Sequence, residues 1–443
     1  MGRFCRWFKN YFRIKIKIMR YICDFHIHSK YSRACSKDLT PRKIAEWCEK
    51  KGIDVVATSD FTHPAWSSEL QKNLEPAEKG LYKLKDCCVA SAARNDIHRA
   101  RFLVSTEVSC IYKRGGKTRR AHHVILMPSL EAAEKFSRVL EDRGFNVRSD
   151  GRPILGIDSE EILKIVLDTS PDAMLIPAYA WTPWFSIFGS ESGFDSVEEC
   201  FGENSKYIYA LETGLSSDPA MNRRWSALDK YALVSNSDAH SLEKLGREAN
   251  VFSFDSGIDY HKIIGAIKNR DKEKFLCTLE FFPEEGKYHL DGHRGCGVCL
   301  TPAETKKNHY LCPKCKRPVT VGVLHRVDNL ADKKEAEKEN FIPYKNVVPL
   351  QEIIAECFGN GTKSKKVVAM YDKLLGECGT EFEILLDKSI DEIRACGGEV
   401  LGEAIDRMRR GNIFIRPGYD GEFGVVKIFN PNERRKNLQA NLL

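Results

Sequence analysis

Long uninterrupted apolar segments are missing from this chain of 443 residues. No stretch approaches the roughly 18 consecutive apolar residues that mark a membrane-spanning helix. Long internal repeats and low-complexity linkers are absent as well. We therefore predict a chain that has no membrane as a partner.

The amino-terminal segment lacks the apolar core of a signal peptide, because basic residues interrupt residues 1–19 throughout. Two interpretations remain open for this basic extension. It is an arm of basic and aromatic residues that contacts phosphates, or it lies upstream of a domain that begins at Met19. The second is favoured, because the first clear strand follows Met19 directly.

A strong charge imbalance is also missing. Lys and Arg total 69 against 62 for Asp and Glu, which leaves a net charge of +7. This excess is compatible with nucleic acid but does not establish it. The apolar fraction of 42% is typical of a globular protein.

Cysteine, in contrast, is plentiful, with 16 residues. Four form a metal-type cluster, and most of the others stand singly in apolar runs, as Cys23, Cys110, Cys200 and Cys277 do. The pattern favours buried free thiols in a reducing compartment, and hence a cytoplasmic protein.

Strands and helices alternate over residues 20–285. Thr40 and Pro41 predict the start of a helix that ends at Gly52, and the buried strand Ile53–Thr58 follows. At least six such units predict an α/β domain with a parallel sheet, closed into a barrel. Polar residues gather where strands end, which is the face that carries the active site in such barrels.

Imidazole and carboxylate side chains recur at these strand ends. His26 and His28 stand two residues apart on one strand and face the same way. The candidate ligands are His26, His28, Asp60, His63, Glu107, His122 or His123, Asp238 and His240. Any single histidine is better explained as a core or surface residue, but the recurrence predicts a multinuclear site for Zn²⁺, Mn²⁺ or Fe²⁺.

The order of these ligands resembles that of the PHP (polymerase and histidinol phosphatase) family. The resemblance implies a distorted (β/α)₇ barrel with up to three divalent metals, and hydrolysis by a metal-activated hydroxide. It favours His123 over His122, because the family histidine directly precedes the apolar strand. Asp238 and His240 are expected as catalytic residues that bridge or orient the metals. Tyr179 stands where the family has His or Cys, so we expect two to three metals (Zn, Mn or Mg).

A second cysteine pattern lies in residues 286–330. Cys296, Cys299, Cys312 and Cys315 form C-x₂-C-x₁₂-C-x₂-C, which predicts one structural zinc ion in a small zinc-binding domain. A redox pair or chance spacing is the alternative. His293 and His309 are expected to be surface residues.

Three segments resemble the endonuclease Q family: PAYAWTPWFSIFGS, the cysteine-rich stretch that continues into VGVLHRVDNLADKK, and RPGYDGEFG. The resemblance runs from Met19 to about Phe429. It implies a DNA repair endonuclease that cuts 5′ of deaminated bases (uracil, hypoxanthine, xanthine) or abasic sites. The implied partners are DNA with such lesions and a replication sliding clamp.

Basic residues in and after the zinc-binding segment are candidates for contacts with DNA. Residues 331–443 read as a mainly helical DNA-binding domain that ends in two strands joined by a Gly-rich loop. The candidates are Lys314, Arg317, Arg326 and Arg416, with a solvated charged surface as the alternative. The aromatic residues Trp181, Trp184 and Phe185 either stack on bases or pack within their loop.

Two other functions stay open. The first is a small-molecule phosphomonoesterase that resembles histidinol phosphatase and uses the same metals. The second is a DNA-binding module without catalysis, in which Tyr179 marks a metal site that has been lost.

Overall fold

The computed structural model describes residues 19–85, 100–334 and 341–430. The strands are β1 Met19–Asp24, β2 Val55–Ala57, β3 Leu74–Pro76, β4 Leu81–Leu84, β5 Arg101–Arg114, β6 Lys117–Met127, β7 Ile154–Leu155, β8 Met174–Pro177, β9 Ala210–Glu212, β10 Ala232–Val234, β11 Ala249–Phe254, β12 Phe275–Glu280, β13 Asp291–His293, β14 Val298–Leu300, β15 Tyr344–Asn346, β16 Phe414–Arg416 and β17 Val425–Lys427. The helices are α1 Pro41–Lys51, α2 Pro64–Asn73, α3 Leu130–Asp142, α4 Ser159–Thr169, α5 Val197–Phe201, α6 Pro219–Asn222, α7 Tyr260–Asn269, α8 Pro302–Lys307, α9 Val323–Leu330, α10 Leu350–Phe358, α11 Lys365–Cys378, α12 Ile390–Gly397 and α13 Glu399–Arg410.

A mixed sheet forms the centre of the molecule. Its strands follow the order β15-β12-β11-β1-β2-β5-β4-β3. Strands β6 and β7 also pair with β5, and β8 pairs with β6. Strands β1, β2 and β5 run parallel, whereas β1 and β11, β5 and β6, and β6 and β8 run antiparallel. The prediction of a parallel sheet is therefore correct for only part of it, but the α/β class is confirmed.

Strands β5 and β6 are the longest of the sheet, with 14 and 11 residues. They form one antiparallel hairpin, paired from Val104 with Met127 to Arg114 with Lys117. Gly115 and Gly116 make the turn with φ of 59° and 73°, the left-handed conformation that tight hairpin turns need. Glu107 therefore lies within β5 instead of at its end.

Helix boundaries follow local capping signals. Thr40 caps α1 by accepting a hydrogen bond from Lys43 N, and Gly52 ends α1 with φ of 81°. The stretch from Ser389 to Arg410 contains two helices, α12 and α13, instead of one continuous helix. Gly398 separates them with φ of 87°, a conformation that interrupts helical hydrogen bonding.

The carboxyl-terminal region is mainly helical, as predicted, and also completes other parts of the fold. Strand β15 extends the central sheet by pairing with β12. The predicted terminal strands are present as the β16–β17 hairpin. The hairpin loop packs on the cysteine-rich segment, because Gly421 N donates to Lys287 O and Gly424 N donates to Glu285 O.

One cysteine prediction needs correction. Cys23, Cys110, Cys200 and Cys277 are free thiols, the first three of them buried. Cys378 at the end of α11 is joined to Cys396 in α12 by a disulfide. Free thiols therefore do not account for all cysteines outside the metal-type cluster.

No helix among the described residues is long and apolar enough to cross a membrane. The predicted basic extension lies outside the described residues up to position 18, and so does the chain after residue 430.

Candidate metal centres

Two histidine rings point into a buried space next to the end of β1. His26 and His28 follow this strand, and their side chains are about 1% exposed. Their Nε2 atoms lie 3.5 and 3.3 Å from Glu107 Oε2. Neither Nε2 atom has a hydrogen-bond partner among the described residues. Buried polar atoms without partners are costly, so this geometry fits a bound cation.

Asp238 completes the group from a different loop. Its Oδ1 lies 3.0 Å from His28 Nε2 and also has no hydrogen-bond partner within the described part of the chain. The ring of His240 lies 4.6 Å from that of His28. The ligand atoms of His26, His28 and Glu107 fall within 4.8 Å of one another, and so do those of His28, Asp238 and His240.

Two further carboxylates orient the rings. Glu212 Oε1 lies 3.0 Å from His26 Nδ1, and Asp60 Oδ1 lies 3.3 Å from His28 Nδ1. An ionised carboxylate can only accept a hydrogen bond, so each Nδ1 carries the proton and each Nε2 offers a lone pair. This arrangement is typical of histidine metal ligands.

The carboxylates around His26 and His28 create a negative potential that favours positive charge at this group. Burial lowers the pKa of His26, but Glu212 and Glu107 outweigh burial and raise the pKa well above its ordinary value. Burial raises the pKa of Asp238, but His28 and His26 outweigh burial and lower it to about 2. The carboxylates therefore stabilise a positive charge at the rings, which either protons or metal cations supply.

The backbone at these strand ends takes unusual conformations. Asp60, Tyr179 and Asp238 have φ of 48°, 29° and 46°, in the left-handed region that non-glycine residues rarely adopt. Such strained residues cluster at functional sites, where the surrounding structure holds them in place.

The prediction of His123 as a ligand is wrong, because its side chain faces away from the group. His123 Nε2 lies 2.8 Å from Ser159 Oγ, and its ring contacts Phe201. His122 has the opposite orientation on β6 and places Nδ1 2.7 Å from Glu107 Oε1. Neighbouring residues of a strand point to opposite faces, so only His122 can join Glu107.

Asp60 and His63 are placed differently from the other candidates. Both oxygens of Asp60 are engaged, with Oδ2 accepting from Ser29 N and Ser32 Oγ. His63 Nε2 lies 3.1 Å from Arg148 O, and its ring stacks on Tyr31. Neither residue belongs to the ligand groups formed by the described residues, and their role as ligands stays a prediction.

Tyr179 and Arg152 contact Glu107 from two sides. The Tyr179 hydroxyl donates to Glu107 Oε1 and also contacts His122 Nδ1, while Arg152 Nη1 lies 3.1 Å from Glu107 Oε2. Burial and the charge of Glu107 raise the pKa of Tyr179 well above its ordinary value, so the hydroxyl keeps its proton. Sequence reasoning did not find Arg152 or Glu212, because neither forms a recognisable motif with the histidines.

A second group of ligand atoms lies in the cysteine-rich segment. His293, Cys296, Cys312 and Cys315 hold their ligand atoms within 4.8 Å of one another. The spacing His293-x₂-Cys296 repeats the spacing Cys312-x₂-Cys315. The next residues, Gly297 and Lys316, are both left-handed, with φ of 60° and 62°. The two turns are therefore similar, and each supplies two ligands.

The structure corrects two predictions here: His293 is not a simple surface residue, and Cys299 lies outside the group. Cys299 is the middle residue of β14, whose Val298 and Leu300 pack in a small core with Cys312. Alternation along the strand turns the Cys299 side chain outward, where it is exposed. The sequence HRGCG could have indicated this ligand, because its histidine and cysteine have the same x₂ spacing as Cys312 and Cys315.

The predicted DNA-contacting residues fall into two kinds. Lys314 and Arg416 lie on the surface, although Lys314 Nζ donates to Cys296 O and Arg416 pairs with Glu422. Arg326 instead donates to Phe188 O and Phe194 O and pairs with Asp195, which ties α9 to the loop before α5. Arg326 is therefore a structural tether, contrary to the prediction.

The fold and the buried imidazole and carboxylate group define a candidate centre of the kind used by metal-dependent phosphoesterases. A solved structure, the lesion-specific endonuclease PfuEndoQ from Pyrococcus furiosus, is 32% identical, with a TM-score of 0.81 over 96% of this chain and 99% of that one. A structure of endonuclease Q with a 27-mer duplex substrate that has an abasic lesion at the active site is 33% identical, with a TM-score of 0.78, and covers 93% of this chain and 97% of that one. The chain belongs to the endonuclease Q family.

The chain is also similar to the protein MJ0043, and its carboxyl-terminal helices match a domain model of the same name. Residues 349–412 match the model of the MJ0043 C-terminal domain. The MJ0043 protein of Methanocaldococcus jannaschii is 34% identical over 259 residues, which are 57% of this chain and 32% of that protein. The chain thus spans about a third of that relative.

Proposed function

We propose that this protein is a DNA repair endonuclease that hydrolyses the phosphodiester 5′ of a deaminated base or an abasic site. The observation that carries the proposal is the convergence of two Nε2 atoms, those of His26 and His28, on Glu107 and Asp238. Neither Nε2 atom has a hydrogen-bond partner in the described part of the chain. This convergence occurs in a chain that matches a lesion-specific endonuclease over 96% of its length. We infer that deaminated or abasic DNA is the substrate.

The proposed ligands of one divalent cation are His26, His28, Glu107 and Asp238. A second cation is proposed beside Asp238 and His240, where the other ligand group lies. Imidazole and carboxylate ligands suit Zn²⁺ or Mn²⁺. Divalent cations held there would lower the pKa of a water molecule and neutralise charge on the phosphate oxygens.

The protein's own side chains prepare this centre. Glu212 and Asp60 hold the two histidine rings through Nδ1, so that both Nε2 lone pairs would be free to bind the proposed cations. Tyr179 donates a hydrogen bond to Glu107 and thereby fixes the carboxylate. Arg152 adds a permanent positive charge at the same carboxylate, where it attracts the anionic phosphodiester.

We also propose one structural zinc ion, with His293, Cys296, Cys312 and Cys315 as ligands. The ion would fix the segment that packs against the β16–β17 hairpin loop, because this segment has only a small apolar core of its own. Lys314, Arg317 and Arg416 are proposed to contact DNA phosphates. A sliding clamp as partner stays a prediction.

A nicking assay tests the proposal. Labelled duplexes with uracil, hypoxanthine, an abasic site or no lesion are incubated with the protein and Mg²⁺, Mn²⁺ or Zn²⁺. We expect a nick 5′ of the lesion, lost in Asp238→Asn and retained in Asp142→Asn, which changes a surface residue at the end of α3. The undamaged duplex should stay intact.

Two outcomes would contradict the proposal. Hydrolysis of free phosphomonoesters without any nick would favour the phosphomonoesterase alternative. Binding of lesion DNA without cleavage, by folded protein loaded with metal, would favour the binding module.

A further inference from the structure

A row of aromatic rings leads away from the candidate active site. The ring of Phe185 lies 4.8 Å from the ring of His122, which contacts Glu107. The preceding residue, Trp184, meets Tyr288 of the cysteine-rich segment edge to face, with ring centroids 6.2 Å apart. Lys287 Nζ lies 5.5 Å from the Tyr288 ring and 5.9 Å from the ring of Phe423.

We call Trp184, Phe185, Tyr288 and Phe423 the aromatic ridge. Three parts of the chain form it: the loop after β8, the segment before β13 and the loop of the β16–β17 hairpin. The Gly421 N–H of that hairpin loop donates to Lys287 O, which fixes the last two parts together. The ridge therefore depends on the tertiary structure and begins beside His122.

Two of the four ridge residues are exposed, which separates the ridge from ordinary loop packing. Trp184 is 44% exposed and Phe423 is 66% exposed. Trp181 in the same loop is only 1% exposed and packs against Phe188 and Trp225. Large aromatic side chains that stay exposed together on one surface mark a binding site more often than a solvated surface.

The loop that carries Trp184 is closely packed. A Cβ atom at Gly189 would lie 2.4 Å from Thr182 O, and one at Gly193 would lie 2.4 Å from Gly189 N. Glycine is thus needed where the loop backbone approaches itself. Trp184 is presented by a fixed support, which lowers the entropy cost of binding.

Cationic groups accompany the rings. The guanidinium group of Arg120 lies 5.8 Å from the centre of the Phe185 ring, and Lys287 Nζ lies near two rings. Neither cation is paired with a carboxylate among the described residues. Rings that offer flat faces, with unneutralised cations beside them, match a strand of nucleic acid, in which bases alternate with phosphates.

We infer that the aromatic ridge stacks bases of the substrate DNA next to the scissile phosphate. The inference rests on the proposed function, because it takes the cluster around Glu107 as the site of cleavage. Protein rings can stack only on bases that no longer stack on a neighbouring base. A lesion provides such bases, because damaged base pairs cost less energy to open. The ridge would therefore favour lesion-containing and single-stranded DNA over intact duplex.

Substitution of the two most exposed rings tests the inference. Trp184→Ala and Phe423→Ala are compared with Tyr207→Ala, which removes a 38% exposed ring elsewhere on the catalytic domain. Dissociation constants are measured by fluorescence anisotropy for an abasic duplex, the undamaged duplex and the single strand. A 2-aminopurine placed beside the abasic site reports stacking by the quenching of its fluorescence.

We expect each ridge variant to bind the abasic duplex and the single strand about ten-fold more weakly. Binding of the undamaged duplex should change by less than about two-fold, because its bases remain stacked. The 2-aminopurine quenching should weaken in both variants, and Trp184→Phe should restore it because the flat ring returns. Tyr207→Ala should behave like the wild type.

Three results would overturn the inference: unchanged binding of abasic DNA by both ridge variants, equal losses for undamaged duplex, or a changed oligomeric state with unchanged DNA binding. The last would identify a second copy of the chain as the occupant. Nicking of the abasic duplex by the wild type, measured in parallel, tests the proposed function separately. If the wild type nicks the abasic duplex but the ridge variants bind it normally, the stacking role of the ridge is refuted and the proposed function stands.

Discussion

Glu212 Oε1 lies 3.0 Å from Nδ1 of His26, on the side of the ring away from the candidate metal centre. Asn236 Nδ2 and the Tyr179 N–H also donate to this buried carboxylate and hold it in place. The contact sets the tautomer of His26 and thereby directs the Nε2 lone pair toward Glu107.

We predict that Glu212→Gln weakens metal binding about ten-fold to a hundred-fold, as loss of an orienting partner commonly does. Nicking should fall at low metal concentration and recover when excess Mn²⁺ is added. Metal titration monitored by calorimetry measures the change directly. The surface variant Glu203→Gln serves as the control, and a nicking defect that no metal concentration restores would contradict the prediction.

The two neighbouring histidines of β6 should respond differently to substitution. His122 contacts Glu107, so His122→Ala should slow nicking by about a hundred-fold, with little change in stability. His123 is buried against Ser159 and Phe201, so His123→Ala should lower the free energy of unfolding by about 1–3 kcal/mol. Single-turnover nicking and urea unfolding measure the two effects. A nicking defect in His123→Ala together with a stability loss in His122→Ala would indicate that His123 is the ligand.

The proposed zinc ligands can be distinguished with cobalt. His293→Ala and Cys296→Ser should each lose one equivalent of metal, while Cys299→Ser should retain it, because the Cys299 side chain points outward. After cobalt substitution, the thiolate charge-transfer absorption should be unchanged in Cys299→Ser and absent in Cys296→Ser. Loss of metal in Cys299→Ser would support the four-cysteine site expected from the sequence spacing.

A buried acid away from the metal ligands should make stability depend on pH. Burial, reinforced by Asp218, raises the pKa of Glu280 from 4.5 to about 8, although Thr278, Thr213 and Ser235 donate hydrogen bonds to it. The folded protein therefore holds this proton more tightly than the unfolded chain does. The resulting stability is full below pH 4.5 and is lost as the pH rises through about 8.

We therefore expect Glu280→Gln, which stays neutral, to remove part of the stability loss between pH 6 and 8.5. The difference from the wild type should amount to several kcal/mol, since one pKa unit corresponds to about 1.4 kcal/mol. Urea unfolding across this pH range measures it. The exposed variant Glu273→Gln is the control, and parallel pH curves for wild type and Glu280→Gln would refute the prediction.

Much of this protein follows from local sequence signals. Thr40 and Gly52 set the ends of α1 through capping contacts within a few residues, and the alternation of strands and helices determines the α/β class. The H-x-H pair and the recurring strand-end ligands indicate a metal centre, because the spacing on a strand fixes which side chains share a face. The resemblance in three segments indicated the endonuclease Q family, and the similarity to two solved endonuclease Q structures confirms it.

The spacing of residues in the sequence does not decide which of them join each candidate metal centre, and the tertiary structure does. Whether His122 or His123 joins Glu107 depends on the register of β5 with β6, which one more residue in the turn would reverse. His293 replaces Cys299 because Val298 and Leu300 fill a small core and turn Cys299 outward. Glu212 and Arg152 reach their partners from distant segments, and contacts of that kind arise only when the chain has packed.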